Sequence, residues 1–111
     1  MAQGFYTNQV FTGLGTLAIS LPNAGDYQIT VQSNLPQLSK GSTFTSGLQI
    51  VIKDGATTKY TGTAGAPGAQ YTLSGAAAGD TLNIVFQSSV TGEEAPYINL
   101  ITSTVSVAQT I

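Results

Sequence analysis

Apolar and polar residues alternate in several segments along this chain, and this alternation determines which secondary structure the chain can form. The segments DYQITVQS (residues 26–33), LQIVIK (48–53) and TLNIVF (81–86) each place an apolar residue at every second position. A period of two puts those side chains on one face of a β-strand, whereas an amphipathic helix needs apolar residues three and four positions apart. We find no stretch with the helical spacing, so the sequence predicts an all-β fold.

One segment carries a competing signal. The alanine run in SGAAAGDTLNIVFQSS (residues 74–89) favours a helix, because alanine is the best helix former. The glycines at positions 75 and 79 bracket the run, and a glycine inside a helix costs about 1 kcal/mol. A helix this short is also marginal on its own. We therefore predict a turn at the alanines, with Gly79 and Asp80 leading into a strand.

Turn signals separate the predicted strands. The segment PNAGD (residues 22–26) is rich in bend-forming residues, and Asp54-Gly55 is a two-residue hairpin signal with TKYT (58–61) as its return strand. The segment 97–107 reads as the last strand, and a change of its apolar face predicts a bulge or bend. GFYTNQVFT (residues 4–12) reads as the first strand.

About eight short strands in one chain predict a single domain over residues 1–111. The predicted fold class is all-β: an antiparallel β-sandwich of about eight strands, jelly-roll-like. Residues 1–12 have two readings, an N-terminal strand of the sandwich or an arm that contacts a neighbouring molecule. The aromatic residues of this segment, Phe5, Tyr6 and Phe11, fit either reading.

The scarcity of charge excludes several classes of function. The chain has three Lys or Arg residues, five Asp or Glu residues, no His and no Cys. Three cations cannot neutralise a run of phosphates, so no nucleic-acid partner is expected. Without imidazole or thiolate, most zinc, iron and copper sites and the Ser–His and Cys–His catalytic pairs are excluded. We predict a protein that is not an enzyme, with no catalytic, cofactor-binding or metal-binding residues.

The sequence also carries no membrane or export signal. The N-terminus MAQGFYTNQV lacks the basic and apolar regions of a secretory signal peptide, and no apolar run is long enough to span a bilayer. What covers the surface is neutral and polar, which leaves little electrostatic repulsion between copies. Isolated sheets usually protect their edges with lysine or proline, and few lysines are present here, so we expect a partner to cover an edge.

The acidic residues have a structural and a functional reading. Asp26, Asp54 and Asp80 each lie at a predicted turn, where an aspartate bonds backbone groups. Glu93 and Glu94 form the one local pair of charges. With backbone carbonyls or Asp80 they would suit a hard cation such as calcium, although a solvated loop tip is the favoured interpretation.

The aromatic residues divide into core candidates and surface candidates. Tyr27 and Phe86 fall on the alternating apolar faces and are predicted to lie in the core. The tyrosines near strand ends would bury the ring and keep the hydroxyl wet, stack on a sugar ring, or anchor a subunit interface. These are Tyr60, Tyr71 and Tyr97.

The order of these signals resembles a known family. AGDYQITVQ (24–32), LQIVIKDG (48–55) and GAPGAQYTLSGAAAGDTLNIVFQSS (65–89) are similar to the jelly roll shared by tumour-necrosis-factor-like cytokines and the globular heads of complement's first component. That family has a G-x-Y-x-[IF] strand early and a Gly-Asp pair before an alternating strand late. The matching positions here are Tyr27 with Ile29, and Gly79 and Asp80 with Leu82 and Ile84. This chain is shorter than is usual for the family.

A second resemblance concerns overall character. Small cysteine-free β proteins rich in Thr, Ser, Gly, Ala and Gln resemble virion components of tailed bacteriophages, namely head decoration proteins, head fibres and tail-associated modules. This resemblance implies a structural virion protein, assembled in the host cytoplasm, that forms a homotrimer or another symmetric oligomer and contacts the major capsid protein or another virion protein. The alternative is a carbohydrate- or receptor-binding β-sandwich module of a fibre or tail, with a glycan as its partner.

Overall fold

The computed structural model describes residues 4–34, 48–63, 69–88 and 99–110, and almost all of this part of the chain is in β-strands or tight turns. Eight antiparallel strands form two four-stranded sheets, and no helix longer than a short 3₁₀ turn occurs in these ranges. In chain order the strands are β1 Tyr6–Thr12, β2 Gly15–Ser20, β3 Gly25–Asn34, β4 Leu48–Asp54, β5 Thr57–Thr63, β6 Ala69–Ala76, β7 Thr81–Ser88 and β8 Thr102–Thr110.

The strand order is that of a jelly roll. One sheet has the order β1-β8-β3-β6 and the other has the order β2-β7-β4-β5. The pairs β1–β8, β2–β7, β3–β6 and β4–β5 are all antiparallel and nest around the β4–β5 hairpin. Successive pairs therefore alternate between the two sheets, as in the double Greek key. The predicted all-β sandwich of about eight strands is confirmed.

The core lies between the inner faces of the two sheets. The alternating residues of β3 and β7 that the sequence placed on one face are buried there, as are Ile50 and Ile52 of β4, and Tyr27 and Phe86 are at most 1% exposed. The prediction that these two rings lie in the core is confirmed. The other fully buried large side chains are Leu21, Ile29, Val31, Ile50, Ile52, Leu73, Leu82, Ile84, Ile101, Val105 and Val107.

The alanine run forms a turn and not a helix, as predicted, although its first residue, Ala76, still belongs to strand β6. Strand β6 ends at Ala76 and β7 begins at Thr81. Between them, the Asp80 carboxylate accepts a hydrogen bond from the Ala77 N–H at 3.0 Å. Gly79 adopts a φ of +90°, a left-handed conformation that glycine takes without steric cost. The Asp80 carboxylate and the left-handed Gly79 thus stabilise a turn at this position, where a helix would need right-handed backbone.

Two strand predictions were wrong in their bounds. The hairpin's return strand is longer than TKYT, because β5 runs from Thr57 to Thr63. The last strand was expected within residues 97–107, but β8 is Thr102–Thr110, and residues 99–100 form a 3₁₀ turn. The face change read as a bulge marks the point where this turn meets the strand. Residues 97–98 lie outside the described ranges.

The N-terminal segment is a strand of the sandwich. Tyr6–Thr12 forms β1 at the edge of the β1-β8-β3-β6 sheet. Phe5 and Phe11 pack against the core cluster, whereas Tyr6 points away from it and is largely exposed. Of the two readings for residues 1–12, the described part therefore follows the strand reading. A contact between this segment and a neighbour remains a prediction.

Candidate interaction surface

The ionised groups of the described residues gather at one end of the sandwich. All of them lie at the ends of strands joined by the β2–β3, β4–β5 and β6–β7 turns, which share that end. They are Asp26, Lys53, Asp54, Lys59 and Asp80. Asp26 bonds backbone, since its carboxylate accepts from the Gly75 N–H at 2.8 Å. The flat faces away from this end are thereby left without charge.

Asp54 and Asp80 are neighbours at this end. The pKa of Asp54 is raised, first by burial and then by the hydrogen bond and the negative charge of Asp80, while Lys59 acts in the opposite direction. Two carboxyls and one ammonium make a local electrostatic cluster. In the described ranges, no three His, Cys, Asp or Glu side chains come together as metal ligands. Glu93 and Glu94 lie outside those ranges, so neither the favoured interpretation as a solvated loop tip nor the calcium alternative with Asp80 is tested.

Apart from Asp26 at the charged end, the outer face of the β1-β8-β3-β6 sheet is polar but neutral. The strand registers align its outward side chains in rows that cross the sheet from β1 to β6. Two complete rows are Tyr6–Ala108–Gln28–Thr72 and Asn8–Ser106–Thr30–Gln70. Two rows over the first three strands are Val10–Thr104–Gln32 and Thr12–Thr102–Asn34. A face of hydroxyls and amides without ionised groups can be covered by another molecule at a low desolvation cost.

Exposed apolar side chains follow β1 to its C-terminal end. In the described part of the chain, four large hydrophobic residues are strongly exposed, and we call them the apolar stripe: Tyr6 (65%), Val10 (65%), Leu14 (42%) and Leu100 (62%). Tyr6 and Val10 share the outer face of β1, and Leu14 lies in the following turn. Leu100 lies beside that turn, because the Gly13 N–H donates to the Ile101 carbonyl at 2.9 Å.

Sequence reasoning identified the aromatic residues at the N-terminus but missed the stripe. The signal was present in FYTNQVF (residues 5–11), where apolar residues occur at both parities of the alternation. A strand with one buried face needs apolar residues at one parity only. The second parity, Tyr6 and Val10, therefore marks an apolar surface that the sandwich itself does not bury. Leu100 was assigned to a strand and gave no such signal.

The tyrosines near strand ends behave as partly buried packing residues. Tyr60 of β5 and Tyr71 of β6 stack with ring centroids 5.4 Å apart and an interplanar angle of 27°. The strands belong to different sheets, so this pair closes the β5/β6 side of the sandwich. One face of each ring is covered by the other ring, so less aromatic surface is available to stack on a sugar ring. Tyr97 lies outside the described residues.

Comparison with known proteins adds no family. No protein-family model matches the chain, and a search of curated proteins finds none that is significantly similar in sequence. Among the described residues there is no helix of the length and apolar character that a membrane span requires. Within the described residues, the ionised groups lie at one end of the sandwich and the apolar stripe follows one edge.

Proposed function

We propose that this protein is a non-enzymatic structural component of a virion, a decoration or fibre module that works by covering and being covered by other subunits. The observation that carries the proposal is the apolar stripe at the margin of a neutral outer face. Large exposed apolar groups rimmed by polar residues are typical of protein–protein contact sites. Removing apolar surface from water stabilises such contacts by about 25 cal/mol per Å².

The fold supports the proposal by analogy. Eight-stranded jelly rolls occur in viral capsid domains and in lectin domains, and a fold does not by itself specify which role a protein has. In the described part, no buried side-chain nitrogen or oxygen lacks a hydrogen-bond partner. A sandwich that satisfies its buried polar side chains and exposes an apolar stripe along one edge suits an accessory subunit. Symmetric self-association, which the resemblance to virion proteins implies, is part of the proposal.

The experiment is a binding assay on virus particles. Virions of the phage that encodes this protein would be purified on a density gradient and analysed by peptide mass spectrometry. Particles from a deletion strain would then be mixed with the purified protein and sedimented. We expect the protein in wild-type virions and rebinding to the deletion particles. A protein absent from virions that also fails to sediment with capsids would overturn the proposal.

A matched pair of variants links the binding to the surface. Leu100→Ser and Val10→Ser remove apolar side chains that are more than half exposed, so both are expected to fold normally. Thr72→Ser changes the opposite edge of the same face and is the control. We expect a loss of capsid binding in the first two variants and none in the control. Equal binding by all three would exclude the apolar stripe as the capsid contact.

The second candidate is glycan binding, and one arrangement favours it. The exposed Tyr6 ring lies in the row that contains Gln28 and next to the row that begins with Asn8. Stacking on an aromatic ring flanked by amides is a common way to hold a sugar. A glycan array, run with and without a chelator, tests this function. A signal abolished by Tyr6→Ala would support it, and no signal on any glycan would exclude it.

A further inference from the structure

Strand β1 lies at the edge of its sheet, and the hydrogen bonds to β8 show which of its backbone groups face outward. The Phe5 carbonyl accepts from the Gln109 N–H at 2.8 Å, and the Gly13 N–H donates to the Ile101 carbonyl at 2.9 Å. The register between β1 and β8 runs without a shift from Tyr6 to Thr12. The odd-numbered residues of β1 therefore bond to β8, and the even-numbered residues direct their N–H and C=O groups off the sheet. No described strand pairs with that side.

The four edge strands differ in how well they are protected. Strand β5 carries Lys59 and pairs with β4 through a register irregularity, and strand β6 has an irregularity at its end where Gly75 bonds to the Asp26 carboxylate. Charges and bulges of this kind prevent edge-to-edge pairing. Strand β2 has six residues and only small outward side chains. Strand β1 has seven residues with no charge, proline or irregularity, and it is the edge most open to another strand.

The sequence of β1 is nearly symmetric in chemical character about Asn8. Reading outward from Asn8 in FYTNQVF (residues 5–11), both sides give a polar residue and then two apolar residues. In an antiparallel pairing centred on Asn8, Tyr6 of one copy lies opposite Val10 of the other. These are the residues whose free backbone groups point off the edge, so each opposing pair would exchange two hydrogen bonds.

We propose that two copies of this chain pair through β1, antiparallel and about a two-fold axis at Asn8, to form one continuous eight-stranded sheet. We assign the partner as a second copy because the edge of β1 is complementary to itself, and a two-fold interface requires such self-complementarity. The two Tyr6–Val10 pairs lie on the same outer face, where they shield half of the apolar stripe. No ionised side chain lies on β1 or β8 to oppose the approach. The pairing does not depend on a virion role.

Charge substitution at the axis tests the register. Residue 8 faces its own copy only in this pairing, and like charges directly opposite on two strands are destabilising. Asn8→Lys and Asn8→Asp are each expected to dimerise several-fold more weakly than the natural chain, up to about fivefold. An equimolar mixture of the two variants is expected to form a heterodimer, because lysine then faces aspartate. Thr72→Lys, on the far edge of the same face, is the matched control and is expected to dimerise normally.

The measurement is mass by analytical ultracentrifugation over a range of concentrations, with circular dichroism to confirm that each variant is folded. The natural chain is expected to sediment as a dimer, or as a larger assembly with an even number of copies. A monomer at the highest soluble concentration would overturn the proposal, and so would a trimer. A dimer that the Asn8 variants leave intact would also overturn it, as would the failure of the mixture to restore pairing. Capsid binding is measured separately, so its loss would not be confused with these outcomes.

Discussion

Phe11 of β1 stacks on Phe86 of β7 with the ring centroids 5.0 Å apart and an interplanar angle of 11°. Because these strands belong to different sheets, the pair closes the β1/β2 side of the sandwich, as Tyr60 and Tyr71 close the other. Gly15 leaves the space that the Phe11 ring occupies. A Cβ atom at position 15 would lie 2.9 Å from Phe11 Cζ, and the φ of Gly15 is +145°. Both the ring and the backbone conformation therefore require glycine here.

Substitution of this glycine should be costly. We expect Gly15→Ala to lower the free energy of unfolding by about 2–4 kcal/mol, since it adds backbone strain to a steric clash. Gly55→Ala is the control, because Gly55 has a positive φ of +64° but no atom within 4 Å of a Cβ there. That variant should lose about 1 kcal/mol. Urea denaturation compares the two, and an equal cost would show that the ring contact contributes nothing.

A pair of buried hydroxyls bridges β3 and β8. Ser33 and Ser103 face each other in the register with their Oγ atoms 2.8 Å apart, and both side chains are buried. Removal of one hydroxyl leaves the other unpaired, so Ser33→Ala and Ser103→Ala should each cost about 1–3 kcal/mol. The double variant should cost less than the sum, because no orphaned hydroxyl remains. Additive losses in a double-mutant cycle would show that the two hydroxyls do not act as a pair.

The same serines explain why the bounds of β8 could not be predicted from the sequence. Alternation located β3, β4 and β7 because each has a run of large apolar residues on its buried face. In β8 the inward positions begin with Ser103 and end with Gln109, so the apolar pattern is visible only in the middle and the strand's bounds were misplaced. A polar residue can occupy a core position when a partner satisfies it, and the partner, Ser33, is 70 residues away in the chain.

The surface was predictable only in outline. The scarcity of charge and the expectation of a covered edge came from composition, but which strand forms that edge depends on long-range pairing. Strand β1 pairs with β8, at the other end of the chain, and nothing local in FYTNQVF (residues 5–11) specifies that partner. The stacking of Phe11 on Phe86 was hidden for the same reason. Local patterns define strands, whereas their neighbours follow from how the whole chain buries its apolar faces.

The Tyr27 hydroxyl anchors the β2–β3 turn. It donates to the Asn23 carbonyl at 2.6 Å and accepts from the Asn23 N–H at 3.3 Å, while its ring is fully buried. Tyr27→Phe keeps the ring and should lower the free energy of unfolding by about 1–2 kcal/mol. Tyr6→Phe, which removes the hydroxyl of an exposed ring, is the control and should change it by less than about 0.5 kcal/mol. Thermal unfolding at low protein concentration, where copies are separate, measures both, and equal effects would contradict the anchoring role.

Asp54 should make stability depend on pH in an unusual direction. Burial first, and then the hydrogen bond and charge of Asp80, raise its pKa against the effect of Lys59. A raised pKa means that the folded state favours the protonated carboxyl. The stabilising contribution is therefore complete below the ordinary aspartate pKa of about 3.9 and is lost as the pH rises through the raised value.

Asp54→Asn is expected to remove the loss of stability that accompanies ionisation of the Asp54 carboxyl. Its free energy of unfolding should exceed that of the natural chain at neutral pH, and the two should converge as the pH falls through the ordinary aspartate range. The difference should stay below about 1 kcal/mol, because the carboxyl is partly exposed and solvent screens its charge interactions. Lys59→Gln removes the ammonium that lowers the pKa of Asp54, so in this variant the loss of stability should occur at higher pH than in the natural chain. Urea unfolding across a pH series measures all three proteins, and parallel curves for the natural chain and Asp54→Asn would show that Asp54 is not the group responsible.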